Sequence, residues 1–250
     1  MVQFLKAQPP AQGQISIRRD MVFGGIQKLT LLDYPDKTAC TLFAIGCDFR
    51  CPFCHNASLL STAKSRQKVS GKEIFDFLKM REGLLDGVCI SGGEPLLHDD
   101  IGAFISEIKE LGYLVKLDTN GSRPGKLEKL ISSGAVDYIA MDIKNAPEKY
   151  AVTIGVPGYD ISPVEESITL LLSCNVPYEF RTTVVSDFHT GDDLLAIASW
   201  IAGAKKYTLQ KFTDSGEVLQ SGLTAYSDEE MRQLLQSVKK IIPAAELRGV

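Results

Sequence analysis

Apolar residues recur along this chain in two alternating rhythms. Short, nearly continuous apolar runs occupy residues 38–46, 87–91, 113–118, 137–143, 178–185 and 206–212. Between them, apolar positions return every three or four residues over roughly 70–83, 99–111, 124–134, 163–174, 191–203 and 227–242. The first rhythm belongs to buried strands, the second to helices that lay one face on a core. Ser70, Asp99 and Asp192 stand where N-caps are expected. Upstream, residues 14–36 hold two short β-like stretches around Gly24-Gly25, ending at Asp33-Tyr34-Pro35. Residues 1–13 are polar and proline-rich without periodicity and read as a flexible leader. No linker, repeat or low-complexity block divides the remainder, so 14–250 reads as one domain.

Strands alternating with helices imply βαβ units, a parallel sheet and right-handed crossovers. Six such units either close partly into a barrel or lie open as a doubly wound sheet, and periodicity does not choose between them. Both arrangements bind ligands at the carboxyl ends of the strands. Chemistry should therefore gather just after each strand-like run.

Composition narrows the class. The chain has 250 residues, 44% of them hydrophobic and 23% charged, with 27 Lys+Arg against 31 Asp+Glu for a net charge of −4. That is an ordinary globular composition, long enough to bury a core without staples. The slight acidity argues against nucleic-acid binding. The longest apolar run, Leu194 to Ala204, is too short to span a bilayer, and Lys6, Gln8, Pro9 and Pro10 spoil any secretory signal. The expectation is a cytoplasmic protein with no membrane partner. Its six cysteines are Cys40, Cys47, Cys51, Cys54, Cys89 and Cys174, and three of them fall within eight residues. Clustering of that kind in such a chain points to metal or redox chemistry rather than a disulfide framework.

The cluster lies directly after the first strand of the alternating series, as Gly46-Cys47-Asp48-Phe49-Arg50-Cys51-Pro52-Phe53-Cys54-His55-Asn56. Thiolates spaced C-x3-C-x2-C on one loop can converge on a soft metal centre. A 4Fe–4S cluster held by three of them keeps one iron open to a ligand, a catalytic rather than electron-carrying arrangement. Three other readings compete. Cys51 and Cys54 form a thioredoxin-type pair, Cys51 to His55 fits the C-x-x-C-H haem attachment pattern, and three cysteines with His55 suggest zinc. Haem attachment lacks an export signal here, and adjacent Cys54 and His55 are poorly placed to grip one tetrahedral ion.

The other strand ends carry polar groups too. Ser91-Gly92-Gly93-Glu94-Pro95 combines a tight backbone with a carboxylate that could bind an ammonium group. Asp118-Thr119-Asn120-Gly121 follows the third strand and Asp142-Ile143-Lys144 the fourth; His189 lies beyond the fifth, with Gln210 and Lys211 at the sixth. Each alone is an ordinary turn, a solvated pair or a surface histidine. Together, thiolates, amides and opposite charges at one mouth describe a pocket for a zwitterionic ligand beside an open iron.

These motifs resemble those of the radical S-adenosylmethionine enzymes, whose C-x3-C-x2-C signature has an aromatic before its last cysteine, here Phe53. Within that superfamily the runs GCDFRCPFCHN, SGGEP, LDTNG and MDIK are similar to those of glycyl-radical-enzyme activases, of the ribonucleotide reductase and pyruvate formate-lyase types. The resemblance spans about residues 20–250 and thins after Val185. It implies a partial (β/α)6 barrel, TIM-like with parallel strands, preceded by a short N-terminal β extension. It implies a 4Fe–4S cluster on Cys47, Cys51 and Cys54, with S-adenosylmethionine at the open iron. Gly92, Gly93 and Glu94 would hold the methionine amino group and Phe53 would sit near the adenine. Asp118, Thr119 and Asp142 would lie near a monovalent cation and the cofactor carboxylate, with Lys144 beside them, Asn120 as a further cofactor contact and His189 as a ribose or carboxylate contact. The implied reaction is reductive cleavage to a 5′-deoxyadenosyl radical that takes hydrogen from a backbone glycine of a partner glycyl radical enzyme. Its electron donor would be a flavodoxin or ferredoxin.

Two departures stand out. Only fifteen residues separate Cys54 from Ser70, so the extra ferredoxin-like module of many activases is absent, and Cys40, Cys89 and Cys174 read as core residues. The chain is also long for the reductase type and nearer the formate-lyase type in length. The basic stretch Lys64, Arg66, Lys68 and Lys72 is a solvated face or a dock for an acidic electron donor. Competing functions are a radical enzyme acting on a small molecule, such as a 7-deazapurine synthase, and a non-catalytic iron–sulfur or zinc sensor or carrier.

Overall fold

The computed structural model describes residues 21–60, 68–214, 216 and 218–250, so the leader 1–13 and the basic residues Lys64 and Arg66 lie outside the described residues. Strand β1 (Val22–Thr30) runs antiparallel to β2 (Ala39–Ala44) and to the two-residue β3 (Val69–Ser70). From β2 onward the neighbours are parallel: β4 (Gly87–Gly92), β5 (Leu114–Thr119), β6 (Tyr138–Asp142), β7 (Tyr178–Val184), β8 (Tyr207–Lys211) and β9 (Ala245–Arg248). The sheet order is β3-β1-β2-β4-β5-β6-β7-β8-β9, a partial barrel with an antiparallel extension at its N-terminal edge.

Helices cover the outer face: α1 (Gly71–Met80), α2 (Ile101–Glu110), α3 (Pro124–Ser132), the single turn α4 (Tyr150–Thr153), α5 (Ser162–Ser173), α6 (Gly191–Trp200) and α7 (Asp228–Lys239). Leu42, Ile90, Val115, Leu117 and Phe180 from the strands pack with Ile74, Phe104, Leu127, Ile168 and Ile197 from the helices in one core. Each such fully buried side chain contributes about 1.5–3 kcal/mol. Because strand side chains alternate, the intervening residues Lys116, Asp118, Glu179 and Arg181 point to the other face, the barrel interior.

The sequence expectations hold for the alternating core, with differences at its margins. A seventh parallel strand, β9, was not expected; its four residues, Ala-Glu-Leu-Arg, are too few to show a period. Of the β-like region 14–36, residues 14–20 lie outside the described residues, and Val22–Thr30 is one strand through Gly24-Gly25, whose register against β2 shifts between Phe23 and Gly25. Ser70 caps α1 in a capping box with Glu73, as its position suggests. The other two caps move. Thr190, not Asp192, caps α6 through a capping box with Asp193, leaving Asp192 in the first turn, where its charge favours the helix N-terminus. Asp100, not Asp99, precedes α2, and the Asp99 carboxylate takes the Lys126 ammonium at 2.8 Å instead. Cys40 and Cys89 are wholly buried and Cys174 is half-buried at the end of α5. Among the described residues no helix is long and apolar enough to cross a membrane.

Candidate functional site

The loop that leaves β2 carries Cys47, Cys51 and Cys54, all free thiols. It is held from distant parts of the chain: Arg50 N–H donates to the Ile154 carbonyl at 2.7 Å and Gln220 N–H to the Pro52 carbonyl at 2.9 Å. His55 stacks on Phe212, ring centroids 5.6 Å apart, and its Nε2 donates to the Thr213 carbonyl at 2.9 Å. Cys47 Sγ accepts from the Phe49 N–H at 3.4 Å and from Asn120 Nδ2 at 3.8 Å. Burial pushes the Cys47 thiol up to about 12 and the Cys51 thiol to about 11, and raises Cys54 as well; Lys144 pulls against the rise at the last two. These are not the acidic thiols of a reactive dithiol pair. His55 is committed to Phe212 and Thr213, and among the described residues no three Cys, His, Asp or Glu groups close on a single ion.

The Gly92-Gly93 turn ends β4 against this loop. Gly92 has φ +112°, and a Cβ there would lie 2.4 Å from Ala44 N. Gly93 is closer still, with an added Cβ 1.9 Å from the Gly46 carbonyl oxygen, so no side chain fits without moving the loop entry. Glu94 corrects an expectation. Its carboxylate is wholly buried and does not line the cavity, with Oε1 accepting from Leu96 N–H at 3.0 Å and Thr119 Oγ1 at 2.9 Å, and Oε2 from Asn120 N–H at 2.6 Å. It ties the end of β4 to the end of β5, so the turn offers backbone rather than a carboxylate to a ligand. Burial raises the Glu94 carboxyl to about 7 against the pull of those three donors.

Across the floor runs a chain of alternating charges: Lys116, Asp118, Arg181, Asp142, Lys144. Lys116 and Asp118 stand two apart on β5, and Asp142 on β6 is the register partner of Arg181 on β7. Lys116 Nζ bonds Asp118 Oδ1. Arg181 donates from Nη1 to Asp118 Oδ2 at 3.3 Å and from Nε to Asp142 Oδ1 at 3.0 Å, and Lys144 Nζ donates to Asp142 Oδ2 at 3.0 Å. Burial opposes ionisation of both aspartates, but Arg181 together with Lys116 or Lys144 outweighs it and holds each carboxyl below its ordinary range. Burial works against the Lys144 charge too, and Asp142 overcomes it, so the ammonium stays protonated.

His189 also departs from expectation. It is wholly buried, with Nε2 donating to the Lys144 carbonyl at 2.8 Å and Nδ1 accepting from the Val185 N–H at 3.1 Å. Nδ1 also lies 3.2 Å from the Val185 carbonyl, and burial lowers the His189 pKa against the pull of the Lys144 and Val185 carbonyls. The ring fixes the backbone of Lys144 and supports Phe53, which packs on Phe188 and His189 at centroid distances of 5.6 and 6.1 Å.

A cavity of about 370 Å³ unites the rest. Cys47, Cys51, Cys54, Phe53, Gly92, Gly93, Asp118, Thr119, Asn120, Asp142 and Lys144 all line it; Glu94 and His189 do not. Arg181, Thr183, Gln210 and Arg248 also line it; of these only Gln210 is among the strand-end residues noted from sequence. The signal was present in β7, where Glu179, Arg181 and Thr183 put polar residues at every second position of a strand expected to be apolar throughout.

The model of the radical SAM superfamily matches residues 41–201, a span from β2 to α6 that supplies most of the cavity lining. The chain belongs to the radical SAM superfamily. A radical SAM relative from Methanocaldococcus jannaschii, provisionally assigned as a glycyl-radical enzyme activating enzyme, is 34% identical over 90% of this chain and 95% of its own. The pyruvate formate-lyase-activating enzyme of Streptococcus mutans is 31% identical over 68% of each chain. In fold, the chain is similar to QueE from Escherichia coli, with a TM-score of 0.57 at 13% identity, covering 91% of this chain and 93% of that one. As a radical SAM enzyme it uses a 4Fe–4S cluster and S-adenosylmethionine, and the residues fit both. Three soft thiols line one cavity; burial disfavours their thiolates in the apoprotein, and iron would supply the counter-charge as each thiol gave up its proton. The floor offers ammonium and guanidinium groups to a carboxylate, and the Gly92-Gly93 turn offers backbone to an amino group.

Proposed function

We propose that this chain cleaves S-adenosylmethionine reductively and installs a glycyl radical in a partner protein. The observation that carries the reading is the lining of one cavity by Cys47, Cys51 and Cys54, the Gly92-Gly93 turn and Lys144, in a chain alignable along nearly its whole length with an activating-enzyme relative. When bound, the cluster would supply one electron to the sulfonium of S-adenosylmethionine, and the resulting 5′-deoxyadenosyl group would take a hydrogen atom from a backbone glycine of the partner, leaving methionine and 5′-deoxyadenosine. The protein's own residues bind and orient. The three thiols hold the cluster, Lys144 meets the ligand carboxylate, and Phe53 closes the wall beside the thiols. Asn120 braces the cluster loop, its Nδ2 donating to Asp48 Oδ1 at 2.9 Å. A reduced flavodoxin or ferredoxin supplies the electron.

The test is anaerobic. Reconstituted protein with S-adenosylmethionine and dithionite should yield 5′-deoxyadenosine and methionine, dependent on the three thiols. Adding a glycyl radical enzyme from the same source should produce a glycyl radical signal by electron paramagnetic resonance. Cleavage without that signal in any such enzyme would overturn the activase step and leave a small-molecule substrate.

A further inference from the structure

The sequence resemblance implies a monovalent cation beside Asp118, Thr119 and Asp142, and the geometry does not accommodate one. All four carboxylate oxygens of the two aspartates already face a cationic side chain. Asp118 Oδ1 takes Lys116 and Oδ2 takes Arg181; Asp142 Oδ1 takes Arg181 and Oδ2 takes Lys144. The Arg181 guanidinium already bridges the pair, and its side chain is only 14% exposed. Unlike a bound ion it cannot dissociate, and it stays charged at every pH the protein meets. The chain of three cations and two anions already carries one surplus positive charge. An alkali ion added to it would raise that surplus where little water screens it. Glu179, below Arg181, takes Arg248 at 3.4 Å and Thr208 at 3.0 Å on Oε2, while its buried Oε1 has no hydrogen-bond partner.

We propose that Arg181 is the built-in cation of this site: it joins Asp118 to Asp142 in place of an alkali-metal ion, and ligand binding in the cavity requires neither Na⁺ nor K⁺. The surplus charge then faces the ligand as a fixed receptor for a carboxylate. Arg181 is thus a positioning residue, acting through the two aspartates and Lys144. The ligand half of this statement rests on the radical SAM reading; the cation half concerns the apoprotein alone.

Two readouts test it, each in KCl, NaCl and choline chloride at equal ionic strength. The first is the melting temperature of the apoprotein, and the second is S-adenosylmethionine affinity of the cluster-loaded protein by calorimetry. The wild type should melt within about 1 °C in all three salts and bind within about twofold. A K⁺- or Na⁺-specific rise in melting temperature, or an affinity gain of about tenfold over choline, would overturn the proposal. Arg181→Met leaves two neutral pairs, Lys116 with Asp118 and Asp142 with Lys144, so no buried charge is stranded. That variant should bind about tenfold more weakly in choline and recover in K⁺ or Na⁺. Failure of every alkali ion to restore it would show that Arg181 does not stand in for one. Arg181→Lys, whose single ammonium reaches one carboxylate better than two, should fall between. If the methionine variant does not fold, the wild-type salt series and the lysine variant still decide. If the loaded wild type does not bind S-adenosylmethionine at all, the cofactor reading fails while apoprotein melting still tests the cation.

Discussion

Gly93 and Gly46 touch through their backbones: the Gly46 carbonyl accepts the Glu94 N–H at 2.7 Å, and a Cβ on Gly93 would lie 1.9 Å from the same oxygen. The end of one strand is thereby fitted against the first residues of the thiol loop. The turn is a spacing device between β2 and β4 as much as a ligand surface.

Gly93→Ala should therefore displace the thiol loop. We expect a loss of about 2 kcal/mol or more in urea denaturation of the apoprotein, and less iron bound per chain after reconstitution. Gly125→Ala is the control, since nothing lies within 4 Å of its added Cβ and it sits in the first turn of α3. It should be neutral or stabilising by up to about 1 kcal/mol.

Cys51→Ala should abolish cluster binding, read as iron and sulfide content and the visible absorption of the reconstituted protein. Cys174→Ala should leave both nearly intact, because that thiol sits half-buried at the end of α5, with Sγ 3.5 Å from the Val176 carbonyl. Equal damage from the two would contradict the ligand assignment.

Glu94→Gln tests whether that residue is an anchor or a ligand group. The amide keeps one acceptor and turns the other into an N–H₂ facing a donor, Leu96 or Asn120 N–H. The apoprotein should lose about 1–3 kcal/mol in urea. A residue serving only to receive an ammonium group would leave apoprotein stability unchanged.

His189 gives the fold a pH dependence of definite sign. Its folded pKa lies below the ordinary 6.5, so the unfolded chain binds more protons below that value and stability falls as pH drops through it. The loss cannot exceed about 1.4 kcal/mol per pH unit. Glu94 acts oppositely: raised from 4.5 to about 7, it destabilises the fold progressively as pH rises across that range. Comparing urea denaturation of the wild type with His189→Gln from pH 7 to 5 removes the Glu94 contribution. The wild type should lose stability faster on acidification, and parallel curves would mean that His189 carries no such linkage.

Much of this site could be read from sequence because chemistry follows strand ends in a parallel sheet, and the thiols, the Gly-Gly turn, Asp118 and Asp142 all sit there. What could not be read was direction. Glu94 and His189 occupy the right loops, but hydrogen bonds to Asn120, Leu96 and Lys144 turn them inward, and such pairings arise only after the strands assemble. Arg181 and Arg248 escaped notice for a different reason. They lie within strands rather than after them, and a polar barrel interior is legible only once the alternation in β5 and β7 is read as two faces.

The clamps on the thiol loop bear on the order in which the protein is made. Residues 47–56 leave the ribosome early, yet the groups that hold them come from Ile154, Thr213 and Gln220. For most of its synthesis the chain carries three thiols without the framework that shapes them. The loop can take its final form only when the last third of the polypeptide has emerged and folded back against it.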